Sequence, residues 1–149
     1  MKTKVKIAFA IYLVGCLILI GFGVAYLLCS TVMPYHQQAI GTNWEQLSAG
    51  MQVLLQALIK MASAGFLVMG INGLILLFIP FRRGERWAYW AIPIIAFLWN
   101  GFSLYVTAKV AIATGASTPW AASIIGIVMV AVAFILSVGA AEKQKAVTS

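Results

Sequence analysis

The residues able to do chemistry in this chain are few, and most stand apart from one another. Its single histidine, His36, lies near Cys29, Met33 and Glu45, residue types that could join in a copper(I) or zinc site. The spacing matches no firm ligand motif, and one histidine cannot make a bis-histidine haem or multi-histidine metal site within one chain. No metal and no cofactor is therefore expected. His36 is read as a loop or interface residue, with pH sensing as its other reading. The chain contains no aspartate, and Glu45, Glu85 and Glu142 all fall outside its apolar runs. A bilayer segment without carboxylates offers no proton relay and no acid/base pair. A Cys-x-x-Cys pair, a Gly-x-Ser-x-Gly elbow and a phosphate loop are also missing, so no catalytic residue is assigned. An enzyme would have to draw on His36, Glu45 or Lys60.

What remains is a set of neutral polar side chains. Asn100, Ser103 and Thr107 follow Pro93 and Ala96 at steps of three and four, which places them on one side of a helix. With Asn72 and Tyr105 they form the candidate ligand-binding set, and Trp99 is positioned to stack beside it. The competing reading makes the stripe a helix-to-helix seam, since interhelical hydrogen bonds in membranes are worth roughly 0.6 to 2 kcal/mol.

These residues must be positioned by membrane-spanning helices. Of 149 residues 63% are hydrophobic and 9% charged, with a mean hydropathy of +1.01, far from the roughly 45–50% and 25% of soluble domains. Four stretches, 7–29, 61–79, 87–108 and 120–140, reach the length of about 20 residues that a span requires. The fold class is all-α, a polytopic four-transmembrane-helix bundle forming one domain over 1–149. Its helices are expected at about 7–29, 44–79, 87–114 and 119–140, with helices 2 and 3 extended on the extracytoplasmic side. The net charge of +7 does not indicate nucleic acid, because the basic residues sit at the ends of apolar runs rather than on one basic surface. Cys16 and Cys29, about 20 Å apart on one helix, cannot form a disulfide with each other.

Basic residues set the orientation. Lys2, Lys4, Lys6, Arg82, Arg83, Arg86, Lys143 and Lys145 fall on one side, against Lys60 and Lys109 on the other. The positive-inside rule makes the first side cytoplasmic, with both termini there. In the stretch "FIPFRRGERWAYW" Pro80 is expected to stop a helix, Gly84 to permit a tight turn, and Trp87, Tyr89 and Trp90 to anchor the interface. Arg82, Arg83 and Arg86 hold this turn inside. They are also the candidate site for an anionic lipid headgroup, to which arginine is suited. "LVGC" at 13–16 is similar to a lipobox, but the apolar run continues past Cys16 to span length, so an uncleaved first helix is expected.

Between the first two spans, Thr42 and Glu45 fit a capping box. From Trp44 onward apolar and polar residues divide into two faces, with Gln52, Gln56 and Lys60 on the polar one, an amphipathic helix expected to run on into the second span. Lys60 and Lys109 are read as snorkelling residues at the outer boundary. Thr118 and Pro119 fit an N-cap and first helical position. Gly21, Ala25 and Cys29 in the first helix, and Ala122 and Gly126 in the fourth, are the expected close-packing seams.

"PYH", "PFRRGERWA" and "TPW" placed around four spans resemble small bacterial four-helix membrane proteins with a similar cytoplasmic hairpin. The likeness is one of type and implies a bacterial inner-membrane location but no activity. The pattern differs from that of the glutathione-using four-helix membrane enzymes, and from that of claudins, whose outer-loop cysteine pair is missing. The leading expectation is a non-enzymatic bundle that works in the lipid bilayer as a homo-oligomer or beside a larger membrane partner. The alternative is a small-molecule or lipid-binding protein, or a passive carrier, using the polar stripe.

Overall fold

A computed structural model describes residues 3–148, with side chains described as far as 138. Lys2 and the side chains of Glu142, Lys143 and Lys145 therefore lie outside the described residues. The chain is all-helical. Its elements are α1 (Thr3–Leu28), α2 (Pro34–Ile40), α3 (Ala49–Leu76), α4 (Ala88–Thr114) and α5 (Trp120–Thr148). Four helical stretches, Thr3–Leu28, Ala49–Phe81, Ala88–Thr114 and Trp120–Val138, are long and apolar enough to cross a membrane.

Helix α2 has no counterpart among the expected elements. Its boundaries follow ordinary rules: Pro34 occupies the first turn, where its missing N–H costs nothing, and Gly41 ends the helix at φ 75°. At seven residues it is too short to show a periodicity. The following helix begins at Ala49 rather than Trp44, because the Thr42 hydroxyl bonds the Gln46 side chain (2.8 Å) instead of joining Glu45 in a capping box. Residues Trp44–Gln46 form only a short 3-10 turn, Leu47 is extended, and the Ser48 hydroxyl accepts the Met51 N–H at 3.4 Å to start α3.

Pro80 does not stop α3 outright. Leu77–Phe81 widens into a π-helical turn that contains the proline, a local geometry that accommodates the absent N–H and the bulky ring. The hairpin then turns at Gly84, φ 77°. Helix α4 ends at Gly115, φ 70°, whose N–H bonds Ala111 O (2.8 Å). Thr118 does not cap α5: its hydroxyl donates to Thr107 O on α4 at 2.8 Å.

Helix α1 packs against α3 on one side and α5 on the other, and α4 packs against α5. At the hairpin end Phe81 is fully buried, with edge-on contacts to Tyr89 (4.7 Å) and Tyr12 (5.9 Å). The turn thus points one aromatic residue into the core and leaves the arginines outside. At the α2 end a smaller cluster joins Tyr26, Val32 and Ile59.

The α1–α3 contact is built on glycines other than Gly21. A Cβ on Gly23 would meet Leu67 side-chain carbon at 2.7 Å and its backbone N at 3.1 Å, and one on Gly70 would meet Ile20 at 2.6 Å and Cys16 O at 3.0 Å. The Ser63 hydroxyl is buried between the helices and donates to Gly23 O (2.7 Å). Of the expected seam residues Gly21, Ala25 and Ala122 are exposed, whereas Gly126 lies against Asn100. The four-residue spacing was present, but only the neighbouring helix decides which small residues lie against it.

The polar face of the first part of α3 turns toward the end of α1. Gln52 bonds Trp44 O (2.9 Å), Gln56 bonds Ser30 O, and Lys60 Nζ bonds Leu27 O and Cys29 O, the latter at 2.8 Å. Lys60 therefore serves the last carbonyls of α1, which have no partner within their own helix. The opposite, apolar face of the same segment is exposed.

Candidate functional site

The polar stripe of α4 faces α5. Asn100 Nδ2 donates to Ala96 O on its own helix (2.8 Å). Its Oδ1 lies over Gly126, where an added Cβ would come within 2.1 Å. One turn further, the Ser123 hydroxyl donates to the Ser103 hydroxyl at 3.0 Å. Thr107 bonds Ser103 O on its own helix (2.8 Å) and offers its carbonyl to Thr118. Three of the five candidate residues, Asn100, Ser103 and Thr107, thus share one contact surface. Its polar groups are engaged by α4 itself, by α5 and by the segment that leads into α5.

The other two lie elsewhere. Tyr105 is exposed, with Lys109 Nζ 5.9 Å above its ring, and Asn72 is exposed on α3. A seam that rests on Ser103 and Ser123 makes a direct prediction. Ser103→Ala and Ser123→Ala, alone and together, should show a coupling of about 0.6 kcal/mol, the usual size of such bonds in membranes, measured as unfolding free energies in detergent. Additive effects would dissolve the pairing.

Arg82, Arg83 and Arg86 are all exposed on the hairpin. Arg82 stands 5.9 Å from the Phe78 ring centroid. Glu85, the one acid in this turn, accepts the Trp87 indole N–H at 2.7 Å, which holds its carboxylate toward the tryptophan. The hairpin therefore presents an exposed arginine cluster of the kind that attracts phosphate oxygens.

At the α2 end, Tyr26 and Tyr35 are joined through their hydroxyls, and His36 packs on Tyr35 with ring centroids 4.1 Å apart. Nδ1 of His36 accepts the Met33 backbone N–H at 3.2 Å. Burial pushes the Tyr35 hydroxyl well above the usual phenol range and holds the His36 imidazole below its ordinary value. The Cys29 thiol is turned to Thr31 O (3.0 Å), and among the described residues no three His, Cys, Asp or Glu side chains cluster as metal ligands would. An open cleft of about 420 Å³ lies beside α2, lined by amides of Gln37, Gln38, Asn43 and Gln46.

The depressed imidazole value has a consequence for pH. The unfolded state binds a proton more readily than the folded one, so stability rises with pH through this window. The contribution of neutral His36 is present above the ordinary imidazole value and is lost as pH falls through the lower folded-state value. Protonation also removes the lone pair that holds Met33. Protection factors of the α2 amides, that is, exchange corrected for its intrinsic pH dependence, should therefore fall on acidification from neutral pH, and His36→Phe should abolish that fall.

Sequence reasoning missed Ser63, Gly23, Gly70 and the partners of Lys60. The first and third carried a signal, since Ser63, Gly70 and Leu77 recur every seven residues and all three are buried. No family model matches the chain, and no curated protein or solved structure is similar to it, so its function rests on its own residues.

Proposed function

We propose that this chain is a four-span protein of the bacterial inner membrane, with termini and hairpin in the cytoplasm, that acts by association rather than catalysis. Its partners are further copies of itself or a larger membrane protein. One observation carries the reading: the polar groups best placed to line a site inside the helices are already engaged, Asn100 and Thr107 by carbonyls of α4 itself and Ser103 by Ser123 of α5. A carrier using that stripe would have to turn these side chains away from α5, and so loses support. Orientation rests on the basic residues flanking the helices. The hydrocarbon core runs from Lys60 to Pro80, a separation of about 30 Å at the helical rise, with the start of α3 beyond it. Native mass spectrometry of protein released from its own membrane, with cross-linking before release, tests association. Assemblies are expected, and monomers alone would overturn it.

A second reading is favoured by the hairpin. Arg82, Arg83 and Arg86 are exposed while Glu85 is held by Trp87, an arrangement fitted to anionic lipid headgroups. Replacing all three arginines by glutamine should remove selective retention of anionic over zwitterionic lipid in the same mass spectra. Unchanged retention would end this reading.

A further inference from the structure

Helix α3 carries two misfits with a lipid environment, and they lie on one side. The first is Asn72. It is exposed, its amide has no hydrogen-bond partner among the described residues, and it lies twelve residues from Lys60, about 18 Å into the hydrocarbon at the helical rise. Lipid tails cannot satisfy an amide. The second is the opposite fault. Lys60 is tied to the last carbonyls of α1, so Met51, Leu54 and Leu58 lie beyond the end of that helix by as much as about 13 Å. Their side chains are nonetheless 45%, 54% and 58% exposed. Lipid tails do not reach there. A polar group inside the bilayer and apolar groups outside it both call for protein on this side.

The pattern along that side identifies the protein. Leu58, Met61, Gly65, Val68, Asn72 and Ile75 follow one another at steps of three and four, with Leu54 continuing the series. This is a heptad seam. It lies half a turn from Ser63, Gly70 and Leu77, which are buried on the side that meets α1. Met61, Val68 and Ile75 on the seam are 73%, 56% and 49% exposed. Gly65 is half-buried, and a Cβ added there would lie 3.5 Å from the Trp99 ring, an ordinary contact.

From this geometry we infer that two copies of the chain pair through α3, in parallel, with Asn72 of each copy facing its counterpart. The inference rests on the association reading and names the partner. All copies enter the membrane in one orientation, so their α3 helices run the same way, and a two-fold axis along the membrane normal sets each seam residue beside its equal. Asparagine suits that position because its amide both donates and accepts, so two of them satisfy each other. A single asparagine in a heptad core also fixes register and favours two strands. Above the bilayer, Leu54 and Leu58 of the two copies cover one another.

Disulfide trapping in native membranes tests the pairing. With Cys16 and Cys29 replaced by alanine, Met61→Cys, Val68→Cys and Ile75→Cys should each give a dimer under copper phenanthroline. Ala62→Cys and Ile71→Cys, also exposed but about a quarter turn to either side, should give several-fold less. Asn72→Val should lower the dimerisation constant roughly 3- to 30-fold, the range of one to two such hydrogen bonds, and Asn72→Gln should retain most of it. Equal trapping at positions 62 and 71, no trapping on the seam, trapping to a different protein, or an unchanged constant in Asn72→Val would each overturn the inference. Native mass spectra of the same membranes separate the two levels. Assemblies without seam cross-links remove the α3 pairing alone, and monomers throughout remove the association reading as well.

Discussion

Gly70→Leu is expected to be the most damaging single substitution in the helical body, lowering unfolding free energy by about 3 kcal/mol, the upper end of the usual range for overpacking. The reason lies in what the new side chain would meet. An added Cβ comes 2.6 Å from Ile20 Cγ1, which can rotate away, but also 3.0 Å from Cys16 O and 3.2 Å from Ile20 N, which belong to the α1 backbone. Relief would require moving α1 as a whole. That would also break the buried bond from Ser63 to Gly23 O on the same seam. Gly126 is crowded more severely, at 2.1 Å, yet there the obstacle is the end of the Asn100 side chain, so its substitution should cost less. Gly21 provides the control, since nothing lies within 4 Å of its added Cβ and removing a mid-helix glycine in favour of alanine gains up to about 1 kcal/mol in water. Thermal or steric-trap unfolding of Gly70→Leu, Gly126→Ala and Gly21→Ala checks this order. Equal losses at 70 and 21 would mean that the α1–α3 contact is not made where the glycines place it.

Lys60→Met should give the second large effect, about 1.5 to 2 kcal/mol, because one ammonium serves two carbonyls. Its Nζ donates to Leu27 O and Cys29 O at the C-terminal end of α1, where unpaired carbonyls concentrate negative partial charge. Hydrogen bonds to a charged group contribute about 1.5 to 3 kcal/mol, and the lower end applies because Lys60 is only half-buried. Water reaching the half-buried site recovers part of the loss. Hydrogen exchange should then localise the damage, with faster exchange in the last turn of α1 and in the α2 segment, and little change at the hairpin. Lys60→Arg should restore most of the stability, since its guanidinium can reach the same carbonyls. If Lys60→Met leaves exchange in α1 unchanged, the lysine only marks the membrane boundary and does not cap the helix.

Both effects were hidden in the sequence, although the helices that host them were not. The four apolar stretches, the turn at Gly84 and the end of α4 at Gly115 are properties of consecutive residues. Hydrophobic run length and left-handed glycine conformations need no knowledge of the rest of the chain. The shared side of Asn100, Ser103 and Thr107 was equally local, being a matter of helical spacing. The start of α3 differs from the expected one for a reason of the same scale: Thr42 has two possible partners, and Gln46 takes its hydroxyl in place of the reciprocal bond with Glu45.

Rotation of the helices is where sequence alone stopped. In water the apolar side of a helix is its buried side. In a bilayer an apolar residue is as well placed against lipid as against protein, so that signal disappears and packing falls to small residues and polar pairs. Helix α1 shows this plainly: Gly21 and Gly23 are two residues apart in a uniformly apolar run, and only the arrival of Leu67 distinguishes them. The partners of Lys60 lie 31 and 33 residues away, and those of Ser63 lie 40 away, separations that no local pattern spans. Asn72 resembles the α4 stripe in sequence because both are polar, yet α3 turns it outward while α4 turns Asn100 toward α5. The amino-acid sequence by itself determined that there are four membrane-length helices, where the chain turns and which side chains share a helical face. Tertiary structure alone decided which face meets which helix, because lipid accepts any apolar face and only close contact between two particular helices tells them apart.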